Sequence, residues 1–107
     1  MNINVRESQL EYLFVKAVRG ALGGTVIKLA PTMKGVPDRL VILPGGLMYL
    51  VELKTEVGRP SPAQRVWHEN VKKLGVTVYT LHGPVQIKAW VRDRAQEVMG
   101  MKPTRAK

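Results

Sequence analysis

The sequence predicts a single α/β domain whose mixed sheet holds a central β-hairpin and is flanked by helices. Three observations carry that prediction. At 107 residues the chain can enclose one modest core and not two. Two apolar runs, 38–43 and 47–54, are joined by Pro44-Gly45-Gly46, a strong hairpin signal. On either side of them lie segments whose apolar residues return at helical spacing.

Residues 6–22 read as the first helix. Leu10, Leu13, Phe14, Ala17, Val18, Ala21 and Leu22 follow the i, i+3, i+4 pattern, and Gly23-Gly24 stops it. The β-branched segment 25–29 reads as a short strand, and 30–37, with two prolines, as a loop that no central strand tolerates. The hairpin follows, then a polar loop at 56–60. Ser61-Pro62-Ala63-Gln64 opens a second helix with an N-cap serine, a proline at the first helical position and glutamine at the capping-box position. Its apolar face is Ala63, Val66, Trp67, Val71 and Leu74. The alternating stretch 76–81 is a strand, and Gly83-Pro84 starts a third helix through about residue 98, with Ile87, Trp90, Val91 and Ala95 inward. The order is therefore α-β-β-β-α-β-α. Residues 1–100 form the one domain, and 101–107 a basic tail. The hairpin demands antiparallel pairing, whereas the last strand follows a helix and pairs in parallel.

Composition narrows the function classes. Hydrophobic residues make up 45%, which excludes a disordered basic tail. The absence of Cys excludes a disulfide framework, a thiolate metal site and a thiol nucleophile. No apolar run approaches the ~18 residues of a membrane span, and the first residues lack the pattern of a secretory signal. The expectation is a cytoplasmic protein without a membrane partner. Seventeen Lys and Arg against eight Asp and Glu leave a net charge of +9, which favours a polyanion, nucleic acid first.

Two of the eight carboxylates stand in unusual places. Glu52 lies within the most apolar strand, where a charge is costly unless paired or metal-bound. Alternation puts Lys54 on the same face. Asp38 begins the partner strand directly after Gly35-Val36-Pro37, and the fixed backbone of Pro37 aims its carboxylate. The hairpin brings Asp38, Glu52 and Lys54 to one side. Two carboxylates and a backbone carbonyl suit Mg²⁺ or Mn²⁺, and Lys54 beside them would orient the attacking water or stabilise developing charge. An isolated E-x-K in a strand is most often a surface ion pair worth about 0–1 kcal/mol. The preceding Pro-Asp across a hairpin and the carboxylate-bearing first helix make it specific.

That arrangement resembles the PD-(D/E)xK nucleases, and within them the VRR-NUC (virus-type replication-repair nuclease) family. The matching residues are Gly35-Val36-Pro37-Asp38-Arg39, Val51-Glu52-Leu53-Lys54, Gly58-Arg59-Pro60-Ser61-Pro62-Ala63-Gln64, and Glu7 with its helix. They span about residues 7–82. The resemblance implies a restriction-endonuclease-like core, with metal ligands at Asp38, Glu52 and the Leu53 carbonyl and a catalytic Lys54. It also implies a glutamine at Gln64 and an acid on the first helix. Glu7 and Glu11 are four apart on one face, so both are candidates for that acid. Glu7 is preferred because it opens the helix in the family's manner. Gln64 is equally explained as a helix cap and as a site residue, and both can hold.

Lys34, Arg39, Arg59 and Arg65 cluster around the site in sequence and suit phosphate contacts, which position a nucleic acid without reading its bases. With no zinc finger or basic zipper, selection by nucleic-acid shape is expected. His68 is placed on the polar side of the second helix, and Trp67 and Trp90 at core spacing. The expected activity is phosphodiester hydrolysis in DNA by a Mg²⁺- or Mn²⁺-dependent endonuclease acting in replication, recombination or repair. For a stand-alone domain the resemblance implies a homodimer acting on branched DNA such as four-way junctions. The third helix is its expected interface, with Val85 and Met99 extending that helix's apolar stripe. The alternative is an accessory protein that binds nucleic acid on the same fold without catalysis. The intact Asp38, Glu52 and Lys54 argue against it.

Overall fold

The apolar residues of the first segment return every four positions, and there the chain coils into α1 (Glu7–Leu22), burying Leu10, Phe14, Val18 and Leu22. The Gln9 side chain accepts the Arg6 N–H at 2.8 Å, closing the helix start. Gly23, in the left-handed conformation at φ 67°, ends it. The computed structural model describes residues 6–30 and 33–101. The basic tail expected beyond residue 101, and Pro31 of the expected loop, lie outside them.

Strand β1 (Thr25–Lys28) pairs antiparallel with β2 (Arg39–Leu43), and β2 pairs antiparallel with β3 (Leu47–Lys54) through the expected hairpin. Its turn needs two left-handed residues, and Gly45 (φ 88°) and Gly46 (φ 80°) supply them. Helix α2 (Pro62–Lys73) makes the crossover to β4 (Val78–His82), which lies parallel to β3, and α3 (Gly83–Met101) closes the chain. The sheet order is β1-β2-β3-β4. Element order and mixed sheet agree with the sequence reading, with strand limits shifted by one or two residues. Asp38 sits just before β2 rather than within it.

Parity along the strands decides what the helices cover. Val41 and Leu43 of β2, Val51 and Leu53 of β3 and Leu81 of β4 face α1 and α3, meeting Leu10, Phe14, Val18, Ile87, Trp90 and Val91 in one core. At its edge the Arg94 guanidinium stands 5.2–5.4 Å from the rings of Tyr49, Tyr79 and Trp90. The Tyr49 hydroxyl bonds to Glu97. Burial and that carboxylate push the Tyr49 hydroxyl up to about 12. This cluster fastens α3 to the sheet. It also corrects the expectation that α3 presents an interface: Ile87, Trp90 and Val91 are buried, Ala95 and Val98 pack against the core, and only Val85 and Met99 are exposed.

Helix α2 departs from its apolar pattern. No residue of it is fully buried, and Val66 and Leu74 stand in solvent. Ala63, Trp67 and Val71 of the expected face are half-buried, and so are Gln64 and His68. The helix covers the second sheet face only at the end carrying Glu52 and Lys54. The rest of that face, with Ile27 and Met48 exposed and Leu40, Ile42 and Leu50 half-buried, stays uncovered. A shallow hollow of about 470 Å³ lies over Leu40, Met48, Leu50 and Val76. Among the described residues no helix is long and apolar enough to cross a membrane.

Candidate active site

The hairpin register runs Arg39 opposite Val51, so one step further Asp38 lies across from Glu52. Pro37 is fully buried, and the Leu29 N–H donates to the Asp38 carbonyl at 2.9 Å, so the Asp38 backbone is held on both sides. Glu52 shares its strand face with Lys54, whose Nζ is 3.8 Å from Glu52 Oε2. Gly35 brings in α2. At φ 91° it is left-handed, and a Cβ there would stand 2.3 Å from the Ala63 carbonyl oxygen, so only glycine lets the first turn of α2 seat on the loop. That seating sets Gln64 beside Glu52. The Gln64 N–H donates to Ser61 Oγ (3.1 Å), Gln64 Oε1 accepts the Ser61 N–H (2.8 Å), and the Gln64 side chain also donates toward the Glu52 carboxylate. The cap is thus formed, and the same side chain lies beside Glu52.

Each central carboxylate has one oxygen held by a cation and one left over. Asp38 Oδ2 is 3.2 Å from the Arg39 guanidinium, and Glu52 Oε2 faces Lys54. Asp38 Oδ1 and Glu52 Oε1 are buried without a hydrogen-bond partner. Burial raises the Asp38 carboxyl above its ordinary value against the opposing pull of Arg39. The Glu52 carboxyl, 4% exposed, is pushed up to about 7 by burial and then by the charge of Asp38, with Lys54 and Gln64 resisting. Two buried, unpartnered and mutually repelling acidic oxygens fit a hard divalent cation, which takes oxygen ligands and relieves their repulsion. Among the described residues no three Asp, Glu or His side chains gather tightly enough to form a cage by themselves. A Mg²⁺-type ion, which keeps several waters on one or two carboxylates, needs none.

The helix acids separate. Glu7 lines a cleft of about 370 Å³ shared with Asp38 and Leu53, and its charge adds to the rise at Asp38. Glu11 borders the same cleft but is paired with Arg39 at 3.1 Å. Lys34 and Arg59 are exposed, Lys34 beside Trp67 and Arg59 over a hollow it shares with His82 and Gln86. Arg65 is exposed and donates to the Pro60 carbonyl at 3.2 Å. Arg39 corrects the expectation of a surface phosphate contact. It is 5% exposed, and its two terminal nitrogens meet Glu11, Asp38 Oδ2 and the Asp38 carbonyl, while its buried Nε has no partner. Strand parity was the available signal, since Arg39 shares a face with Val41 and Leu43. His68 also departs from its expected solvent position: its Nε2 is buried without a partner, and burial pulls its pKa down. Its spacing of four from Gln64 was the signal for that. His82 stands beside Lys54 in the parallel register, with its Nδ1 3.1 Å from the Thr55 carbonyl oxygen.

A four-stranded mixed sheet whose hairpin joins Pro-Asp to Glu-x-Lys beside an acidic helix defines a small α/β nuclease. The comparisons with known proteins agree. The chain is 40% identical over 78 residues to "Putative nuclease p44" of Acyrthosiphon pisum secondary endosymbiont phage 1, covering 72% of this chain and 83% of that protein. It is similar to a solved VRR_NUC domain at a TM-score of 0.70 and 35% identity, covering 80% of this chain and 94% of that one. No family model matches. The chain belongs to the VRR-NUC family of nucleases.

Proposed function

We propose that the protein is a divalent-metal-dependent DNA endonuclease. The single observation behind this reading is the pair of buried oxygens, Asp38 Oδ1 and Glu52 Oε1, set across from one another on the hairpin and each without a hydrogen-bond partner. Asp38 and Glu52 would hold Mg²⁺ or Mn²⁺, with the Leu53 carbonyl and Glu7 completing the set and Glu11 engaged elsewhere. The ion, when bound, supplies charge neutralisation at the phosphate and polarisation of the attacking water. Lys54, kept at the site by Glu52, orients that water and stabilises charge developing on the phosphate oxygens. Gln64, beside the Glu52 carboxylate, favours its charged form. Lys34, Arg59 and Arg65 attract the DNA backbone and confer no base specificity.

The preferred substrate is branched DNA, including four-way junctions formed in replication, recombination or repair, in the cytoplasm of a bacterium or a phage-infected cell. Paired cuts in such DNA require two active sites, and a two-fold homodimer is the commonest way to provide them. With the α3 stripe spent on the core, the uncovered face of Ile27, Ile42 and Met48 is the apolar surface left for that contact. The test is incubation with linear, flapped and four-way-junction DNA in Mg²⁺, Mn²⁺ or EDTA. Cleavage that needs the cation and favours the junction is expected. Cleavage undiminished in EDTA would reject the metal reading. Binding to DNA without cleavage under any condition would leave a silent accessory protein.

A further inference from the structure

Arg39 occupies a position that strand parity assigns to the core, between Val41 and the buried Pro37. A guanidinium at such a place costs several kcal/mol of desolvation unless partners repay it. The partners are distributed over its two ends: Nη2 meets Glu11 Oε1 at 3.1 Å, while Nη1 meets both Asp38 Oδ2 at 3.2 Å and the Asp38 carbonyl at 3.0 Å. Glu11 thereby draws one edge of the fork toward α1. The other edge grips a single oxygen of Asp38 and leaves the buried Oδ1 without a partner.

Resting on the metal reading above, we infer that Arg39, held by Glu11, is a positioning residue that fixes Asp38 Oδ1 as a single-oxygen ligand. Three consequences follow. Asp38 cannot chelate with both oxygens while Oδ2 is engaged. Lysine cannot replace Arg39, because a point charge on a flexible stem does not bridge acceptors on two elements as a planar fork does. Glu11 acts through Arg39: without its charge the guanidinium moves onto Asp38 and competes with the cation for Oδ1. The pair also ties α1, which carries Glu7, to the strand end that carries Asp38. Helix and hairpin therefore reach the cation as one unit.

The experiment is calorimetric titration of the DNA-free protein with Mn²⁺, for wild type, Arg39→Lys, Glu11→Gln and the double variant, with each metal-free melting temperature recorded. Groups that orient metal ligands typically contribute roughly 10–100-fold to metal affinity. Arg39→Lys is therefore expected to weaken Mn²⁺ binding about tenfold or more, and Glu11→Gln by less. In the Arg39→Lys background Glu11→Gln is expected to weaken it no further. A lower melting temperature with unchanged Mn²⁺ affinity in Arg39→Lys would make Arg39 merely structural and overturn the inference. Should that variant fail to fold, Glu11→Gln decides, and undiminished affinity there overturns it equally. Additive losses in the double variant would put Glu11 on the ion itself and overturn it. Failure of the wild type to bind Mn²⁺ would defeat the metal reading first, an outcome distinct from all of these.

Discussion

Glu52 offers a measurement in which the functional site works against the fold. Its carboxyl rises from 4.5 to about 7, first through burial and then through the charge of Asp38. Between those values the folded chain binds a proton that the unfolded chain has released, so stability falls as pH rises through that window and is flat above it. At about 1.4 kcal/mol per pH unit, the interval corresponds to at most about 3.5 kcal/mol lost by pH 8. Glu52→Gln removes the titration and keeps the shape. In the absence of metal the variant is expected to match wild type near pH 4.5 and to exceed it by up to about 3.5 kcal/mol at pH 8. That difference is on the order of 10–20 °C in melting temperature for a domain of this size. Added Mn²⁺ then raises the wild-type melting temperature by mass action and leaves the variant where it was. Thermal melts from pH 4.5 to 8, with EDTA or with Mn²⁺, read both effects. A variant less stable than wild type at pH 8 in EDTA, or one that gains equally from Mn²⁺, would refute the reasoning.

Three further outcomes are expected. Lys54→Ala loses DNA cleavage by orders of magnitude but keeps most of its DNA affinity, because affinity is spread over many phosphate contacts; parallel cleavage and gel-shift assays check this, and full cleavage would remove Lys54 from the reaction. Ser61→Ala and Gln64→Ala each disrupt the α2 capping box and cost on the order of 1 kcal/mol in denaturant melts, but only Gln64→Ala also slows cleavage. Equal slowing in both would reduce Gln64 to a cap. Met48→Glu, on the uncovered sheet face, converts a dimer to a monomer in light scattering and replaces paired junction cuts with single nicks, whereas a wild type already monomeric at micromolar concentration would reject the assembly.

The sheet and its hairpin were legible because local chemistry specified them. Pro44-Gly45-Gly46 could only turn, the run 47–54 could only lie in a sheet, and Ser61-Pro62 could only begin a helix. Asp38, Glu52 and Lys54 were legible for a different reason: charges in an apolar strand call for an explanation, and the hairpin places them together. Arg39 was not read correctly, because an arginine in a basic protein is ordinarily solvated, and its burial depends on Glu11, 28 positions earlier on another element. Residue spacing within one strand carries no sign of that partner. The α3 stripe posed the same difficulty in reverse. Periodicity shows that one face is apolar, and only the packing shows whether the core uses all of it, as it does here through Trp90 and the ring cluster around Arg94.

Helix α2 shows why its apolar pattern misled. A helix whose only task is to close a core turns its most apolar stripe inward. Here Val66 and Leu74 face solvent while Gln64 and His68 turn partly inward. The seating that produces this is imposed from outside the helix, by Gly35, which admits the Ala63 carbonyl to a distance no side chain would allow. The rotation forfeits apolar burial at Val66 and Leu74, on the order of 1.5–3 kcal/mol for each side chain kept out of the interior. In exchange it sets an amide donor beside the Glu52 carboxylate, which Lys54 already flanks on the same strand face. A helix serving stability alone would not sit this way. The glycine, the cap and the exposed Val66 and Leu74 are therefore parts of one arrangement, in which α2 sets Gln64 beside Glu52 rather than completing the core.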